Sequence, residues 1–505
     1  MFSKPLKEEN DVPLTRYPLF INGAWVEPVE GSYFSSENPA TGEAWYEAAR
    51  ATGPDVSAAI SAAHAAFTTG PWSTTLPTER GRLLYRVADV LAAHAEELAE
   101  IEARDNGKLL REMRAQMRSL PDYFRFYAGL ADKVRGDHIQ GVAQNALNYT
   151  IREPLGVVVA ITAWNSPLYL AAMKLAPALA MGNTVVVKPS EFTSAATLKV
   201  ASYFTEAGFP PGVVNAISGR GREIGDQLVD DPRVAKIAFT GSTPVGRRIA
   251  ARAGERLAKV SLELGGKSPS IVFPDADLDN VATGVVAGVF AAAGQMCTSG
   301  SRLFVHASVH DEVVARVVRR ASAIRIGNPL ESATELGPLV NGGQHAHVTA
   351  CIAQGVAEGA KVAFGGARPS GFDRGWYLQP TVLTGVHNDM SVARTEIFGP
   401  VLSVIPFETE EEVVRLANDT EFGLAAGIWT SNLARAHRVA AALDAGIVWV
   451  NTYRNESAQS PFGGFKQSGL GKENGTEAVL EYSRLKSVWI NYDEGGLADP
   501  FTYPG

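Results

Sequence analysis

Cysteine is scarce in this 505-residue chain: Cys297 and Cys351 are the only two. Two thiols cannot build a disulfide framework, and their rarity fits a reducing compartment. A basic tract is missing as well. The 46 Lys and Arg and the 54 Asp and Glu are spread along the whole length, for a net charge of −8, which argues against the electrostatic footprint of a nucleic-acid binder. Long apolar runs are absent too. The two greasiest stretches, 281–293 and 155–164, fall short of the ~18 residues a spanning helix needs. Residues 1–20 mix Lys4, Lys7, Glu8, Glu9 and Asp11 with three prolines and contain no apolar signal-peptide core. These absences lead us to expect a cytoplasmic protein with neither nucleic acid nor membrane as partner. His345 and His347 have no further ligand at metal-binding spacing, so no metal is expected.

What the chain does contain is an ordinary globular composition, 46% apolar and 20% charged, long enough for about three units of roughly 150 residues. Helical spacing of Leu83, Leu84, Val87, Leu91, Leu98 and Ile101 predicts one long helix, capped by Thr78 and stopped at Asn106-Gly107. A second helix is expected near 113–131, and an exposed hairpin over 136–153. From Gly156 the rhythm becomes strand, helix, strand, helix. Strands are expected at 156–162, 184–187, 213–217, 235–239 and 260–264, with helices at 167–181 and from Ser194 to Gly208 among the segments between them. Short β-branched runs without alternation mark strands buried on both faces of a parallel sheet. The rhythm restarts after Gly265-Gly266, with strands at 270–273 and 302–306 and helices at 278–293 and 309–324. Farther on come a strand at 447–451, a Gly-rich loop at 460–471, a helix near 473–481 and a last strand at 487–490. The fold class is therefore α/β, with two doubly wound parallel-sheet domains.

Two motif echoes are set aside. Gly219, Gly221 and Gly225 resemble a dinucleotide fingerprint with its third glycine one residue late, and Gly266-Lys267-Ser268 lacks the upstream glycine of a phosphate loop, where Ser261 stands. No G-x-S-x-G nucleophile elbow occurs.

Four separate segments hold residues odd for packing alone. In 163–167, Asn165 follows a strand and opens a helix; it reads as an N-cap, the simpler role, or as an amide donor to an oxyanion. Thr240-Gly241-Ser242 again joins strand to helix, and suits either a plain serine cap or a pyrophosphate. Glu263 ends an apolar strand, where burial would raise its pKa toward that of a general base, a buried ion pair being the rival explanation. Cys297 sits among glycines in a loop between helix and strand, placed for nucleophilic attack, whereas Cys351 reads as a small buried hydrophobe.

Together these segments resemble the NAD(P)-dependent aldehyde dehydrogenase superfamily. The resemblance runs from about Tyr17 to Ile490 and rests on Glu263-Leu-Gly-Gly-Lys with Gly-Gln-Met-Cys297, on Glu396-Ile-Phe398-Gly-Pro400, and on Ser460-Pro-Phe-Gly-Gly-Phe-Lys. It implies a Rossmann-like cofactor domain over 1–135 and 154–265, a catalytic domain over 266–477, and a small β oligomerisation element over 136–153 and 478–505. By the same resemblance Cys297 is the nucleophile that forms a thiohemiacetal and then a thioester. Asn165 and the Cys297 N–H bind the oxyanion, Glu263 activates water, and Lys174 with Glu473 relays protons away. The cofactor is expected to be NAD, with NADP possible, held by Trp164, Lys188, Ser190, Glu191, Gly241, Ser242, Leu264, Glu396 and Phe398. Glu191 favours NAD because a carboxylate bonds the ribose hydroxyls and repels a 2′-phosphate. A homodimer or homotetramer is implied.

Ser166 stands where many members of the superfamily carry an aromatic residue. Tyr169, Met173, Met296, Thr298, Tyr453 and Phe462 complete an expected lining that favours an apolar or aromatic small-molecule aldehyde. Arg454, Asn455 and Glu456 are polar for that border, and are expected to face solvent rather than to hold a semialdehyde's polar tail. Two other classes remain open at this point: a cofactor-independent thiol esterase using the same cysteine, and a binding protein that has kept the scaffold without turnover.

Overall fold

The computed structural model describes residues 14–141, 143–495 and 499–501. The leader reading over 1–20 therefore lies mostly outside the described residues, as does part of the expected tail over 478–505. Two large sheets organise the chain. The first has eight strands, and five of them are parallel and adjacent in the order Lys259–Glu263, Val234–Thr240, Val157–Ile161, Thr184–Lys188, Val214–Ala216. The second has seven strands, parallel from Thr381–Thr384 through Val401–Phe407, Arg302–His306, Pro269–Val272 and Ala425–Trp429 to Ile447–Val450.

Burial follows the pleat. Val157, Val159 and Val186 enter one apolar cluster, while Val158, Ala160, Val185 and Val187 enter another on the opposite face. The second sheet divides in the same way, with Ile271, Phe304 and Ile428 on one side and Val272, Leu303, Val305 and Trp429 on the other. A sheet covered on both faces has no solvent side to carry polar residues, which is why its strands read as continuous β-branched runs. Among the five parallel strands of the first sheet the chain order reverses between Val157–Ile161 and Val234–Thr240, and in the second sheet one change of direction falls between Pro269–Val272 and Ala425–Trp429. Ligands of open α/β sheets sit at such a switch point, outside the carboxyl ends of the strands.

A separate antiparallel sheet pairs Ser483–Asn491 with Ala146–Pro154 over nine residues and adds His138–Ile139. This is the expected hairpin joined to the last strand. Among the described residues no helix is long and apolar enough to cross a membrane.

Some boundaries differ from expectation. The long helix is two, Pro77–Ala93 and Ala95–Asn106, broken at His94, whose φ of −101° and ψ of 11° interrupt the helical run; it starts at Pro77 after Leu76, not after a Thr78 cap. Its end is as expected, with Gly107 left-handed at φ 78°. The helix expected over 473–481 is only Glu477–Glu481, because Glu473 instead bridges back to Phe462.

One polar group in the second sheet carries its own prediction. Arg302 is fully buried, and its guanidinium donates to the carbonyls of Lys267, Leu416 and Ala417 and to Asn388 Oδ1 over 2.8–3.1 Å. Replacing it by Met removes four hydrogen bonds at once and leaves Leu416 O with only its bond from Asn388 Nδ2, at a cost of roughly 3 kcal/mol or more. We expect Arg302→Met to lower the thermal unfolding midpoint by several degrees, as read by calorimetry. An unchanged midpoint would mean that water satisfies those carbonyls equally well.

Candidate active site

The carboxyl ends of the first sheet meet loops that lead into the second. After Val157–Ile161 the chain turns through Trp164 and Asn165 into the helix Pro167–Ala180; after Val234–Thr240 it turns through Gly241 and Ser242 into Thr243–Glu255. Both turns end at a proline in the first helical turn. Ser242 makes no side-chain cap bond, so its hydroxyl and the free N–H groups of that first turn are available to an anion.

Cys297 arrives from the other direction. The helix Leu278–Phe290 stops short of the expected end, and Ala292, Ala293 and Gly294 all turn left-handed, with φ of 54°, 54° and 71°. Two consecutive alanines in this region are costly and persist only when their surroundings hold them. Gln295 supplies that hold: its Nε2 donates to Ala292 O at 3.1 Å and its Oε1 accepts from Val340 N at 2.9 Å. Asn165 joins in, its Nδ2 donating to Gln295 O at 3.1 Å. That leaves one N–H of the Asn165 amide for a ligand.

The Gly265-Gly266 pair is needed for close approach. A Cβ on Gly266 would lie 2.4 Å from Cys297 O, and one on Gly265 would lie 2.3 Å from Glu396 Oε2. Glu396 in turn accepts Gly266 N–H at 3.0 Å, and burial pushes its pKa up to about 7.

These loops enclose a cavity of about 220 Å3 onto which Cys297, Asn165, Glu263, Ser242, Trp164 and Glu396 all open. Gly241, Leu264 and Phe398 line it as well, with the Trp164 and Phe398 rings edge to face at 5.1 Å. Glu263 is 3% exposed and neither of its carboxylate oxygens has a partner. Burial, reinforced by the nearby Glu473, holds its pKa well above the usual carboxylate range. Burial also pushes the Cys297 thiol upward, with Glu456, Glu396 and Glu263 adding to the shift. Lys174 and Glu473 form a fully buried ion pair, and Lys174 Nζ also donates to Thr240 Oγ1 at 2.7 Å.

Other expected residues are placed elsewhere. Lys188, Ser190 and Glu191 lie at the end of the neighbouring strand, outside this cavity's lining; Lys188 is buried, its Nζ 3.9 Å from Glu191 and 3.0 Å from Pro189 O. Met173 and Phe462 are buried in the apolar core, and Tyr453 is engaged by its hydroxyl bond to Thr298 O at 3.0 Å. Thr298 is buried with its hydroxyl unpartnered. Ser166, Tyr169 and Met296 belong to a second, outer cavity of about 360 Å3, the latter two in its wall and Ser166 through the Lys108 Nζ bond at 2.6 Å. Arg454 and Glu456 do not simply face solvent. They line this outer cavity, Arg454 anchored to Ala287 O at 3.1 Å and Glu456 accepting from Tyr169 OH at 3.3 Å, whereas Asn455 is exposed as expected.

Gln344 and His347 were not anticipated, yet both line the inner cavity, and Gln344 Nε2 donates to the carbonyls of Ile397 and Phe398. Their helix, Gly342–Ala357, has its Asn341 cap as a local signal, but nothing local shows which sheet end it faces. His347 Nε2 lies 3.7 Å from Cys351 Sγ. Among the described residues no group of His, Cys, Asp or Glu is placed to hold a metal ion.

Comparison with known proteins agrees with this geometry. The aldehyde dehydrogenase family model matches residues 25–488. A betaine aldehyde dehydrogenase of Brucella anthropi is 46% identical, covering 95% of this chain and 98% of that protein. The (Z)-2-((N-methylformamido)methylene)-5-hydroxybutyrolactone dehydrogenase of Acinetobacter baylyi is 45% identical, covering 97% and 99%. Among solved structures, the NAD+ complex of an aldehyde dehydrogenase from Bacillus cereus superposes with a TM-score of 0.93 at 43% identity, covering 95% of this chain and 97% of that one.

Proposed function

This chain belongs to the aldehyde dehydrogenase family, and we propose how its own residues carry that family's reaction, the NAD-dependent oxidation of an aldehyde to the acid. Cys297 is the nucleophile and reacts as the thiolate, the form that each turnover restores: its sulfur bonds to the aldehyde carbon as the carbon–oxygen π bond opens, and the oxygen takes up the negative charge. The free N–H of Asn165 and the backbone N–H of Cys297 receive that charge. Bound NAD+ supplies the acceptor for two electrons and the hydrogen on that carbon, which leaves a thioester on Cys297. Glu263 then removes a proton from water, the water oxygen adds to the acyl carbon, the carbon–sulfur bond breaks, and the acid departs with the thiolate restored. The proton passes to the Lys174–Glu473 pair.

The inner cavity suits the cofactor. Glu396 holds one carboxylate oxygen on Gly266 and leaves the other to bind a ribose hydroxyl, while Ser242, which makes no cap bond, and the turn at Gly241 would hold the pyrophosphate. Trp164, Leu264 and Phe398 form the walls. Lys188, Ser190 and Glu191 take the adenosine ribose, where the Glu191 carboxylate disfavours a 2′-phosphate. A location in the reducing cytoplasm fits the two free thiols. The sheet around Ser483–Asn491 exposes Leu485, Trp489 and Ile490, the apolar surface through which copies of this chain assemble as a homodimer or homotetramer.

The observation that carries these roles is that Cys297, Asn165 and an unpartnered, buried Glu263 open onto one cavity. A panel of aldehydes, followed by the absorbance of reduced nicotinamide with NAD and separately with NADP, tests the assignment. We expect NAD to exceed NADP in kcat/KM by about tenfold or more, since Glu191 opposes the extra phosphate. Preference for NADP would overturn the role of Glu191, and the absence of reduction with every aldehyde would overturn the whole assignment.

A further inference from the structure

The outer cavity has charges that the reaction itself does not use. Lys108 is 4% exposed, yet its Nζ has no carboxylate within 4 Å among the described residues; its hydrogen bond goes to Ser166 Oγ at 2.6 Å. In the same cavity Glu456 is held by the Tyr169 phenol at 3.3 Å, itself bonded to Tyr123, and also has no cation within 4 Å. Lys108 and Glu456 therefore line one space without meeting, with Glu112 and Arg454 in the same wall. Beside them the buried Nε of Arg454 and the buried Oε1 of Gln116 lack partners, adding a donor and an acceptor. Met296, next in sequence to Cys297, forms part of the wall, and Lys108 and Glu456 both act electrostatically on the Cys297 thiol, so this space lies near the sulfur.

Partly buried charge is costly until something complementary arrives. An alkyl tail would displace water and leave both charges unmet. A tail with one charge would meet one group and set a like charge near the other. Building on the assignment of Cys297 as nucleophile, we propose that this enzyme selects aldehydes whose tail carries both an ammonium group and a carboxylate, the class of amino-acid semialdehydes. The ammonium is received by Glu456 and Gln116, the carboxylate by Lys108 and Arg454.

A matched four-carbon series tests this: butanal, β-aminobutanal, succinate semialdehyde and aspartate semialdehyde, each measured as kcat/KM with NAD in the wild type, Glu456→Gln and Lys108→Met. Aspartate semialdehyde is expected to exceed butanal by about 10- to 100-fold. In Glu456→Gln the ratio of β-aminobutanal to butanal falls about tenfold, and in Lys108→Met the ratio of succinate semialdehyde to butanal falls similarly. Butanal or either singly charged aldehyde matching aspartate semialdehyde in the wild type overturns the proposal, a result that needs no variant to fold. Ratios unmoved by Glu456→Gln overturn it as well. In both cases NAD reduction persists and the dehydrogenase assignment stands; reduction with no aldehyde at all would instead defeat that parent assignment.

Discussion

Cys297→Ala is expected to lower kcat for aldehyde oxidation by about four orders of magnitude or more, because the step that forms the carbon–sulfur bond has no substitute in the cavity. Cys351, the other free thiol, lies on the helix Gly342–Ala357 against His347 and is not among the residues lining the cavity. Cys351→Ala therefore serves as the matched control and should stay within about twofold of the wild type. The loss at Cys297 should not come from unfolding. Its loop is held by Gln295 and by the approach of Gly266 to the Cys297 carbonyl, contacts that do not involve sulfur. Thermal unfolding and NAD+ binding, followed by quenching of protein fluorescence, should both match the wild type, with Trp164 in the cavity wall as reporter. Turnover near the wild-type rate would remove Cys297 from the mechanism. Lost NAD+ binding would show that the substitution had damaged the cavity rather than the chemistry.

Why the sulfur reacts at all is the sharper question. Burial, with Glu456, Glu396 and Glu263 around it, raises the pKa of the Cys297 thiol, the opposite of what a nucleophile needs. Burial raises the pKa of Glu263 and pushes that of Glu396 up to about 7, and each repels the thiolate less when it carries a proton. A cofactor carrying a positively charged ring in this cavity would work in the same direction. The rate at which an alkylating reagent modifies Cys297 should accordingly rise when NAD+ is bound.

Much of this arrangement was legible in the sequence, and the exceptions have physical reasons. Strands such as Val157–Ile161 and Thr184–Lys188 show themselves because burial on both faces demands apolar side chains at every position. The loops that hold Asn165 and Ser242, and Glu263 itself, could be placed because each follows or ends a strand of this sheet. Strands of the second sheet were harder to see: Val401–Phe407 carries Ser403, Pro406 and Phe407, and Ala425–Trp429 is mostly small residues, so neither forms a β-branched run. The break at His94 and the left-handed Ala292 and Ala293 leave no local trace, since alanine favours helix and the turn is imposed by the Gln295 side chain, which bonds Ala292 O only while anchored to the distant Val340. Polar Arg454 and Glu456 read as solvent-facing because a charge is normally exposed; their inward orientation depends on Tyr169 and Ala287, distant in sequence.

Glu263→Gln should separate the two halves of the reaction. The amide keeps the shape of the side chain but cannot take a proton from water, so acyl transfer to sulfur proceeds while release of the acid stalls. With enzyme in excess of aldehyde, we expect one equivalent of reduced nicotinamide per Cys297 at a rate within about tenfold of the wild type, followed by steady turnover slower by about 10²- to 10⁴-fold. Quenching the reaction and weighing the protein should then find the acyl group on the peptide containing Cys297. The pH dependence follows from the raised pKa. Water activation needs the carboxylate ionised, so wild-type deacylation declines as pH falls through a value well above the ordinary range for glutamate, and the variant loses that dependence. Fold stability is a weak alternative explanation: both carboxylate oxygens lack partners in the structure, so the substitution breaks no hydrogen bond and removes a buried acid. A variant that neither bursts nor turns over would place Glu263 in the first half of the reaction, as the base for the Cys297 thiol. One that turns over normally would leave the activation of water to a group other than Glu263.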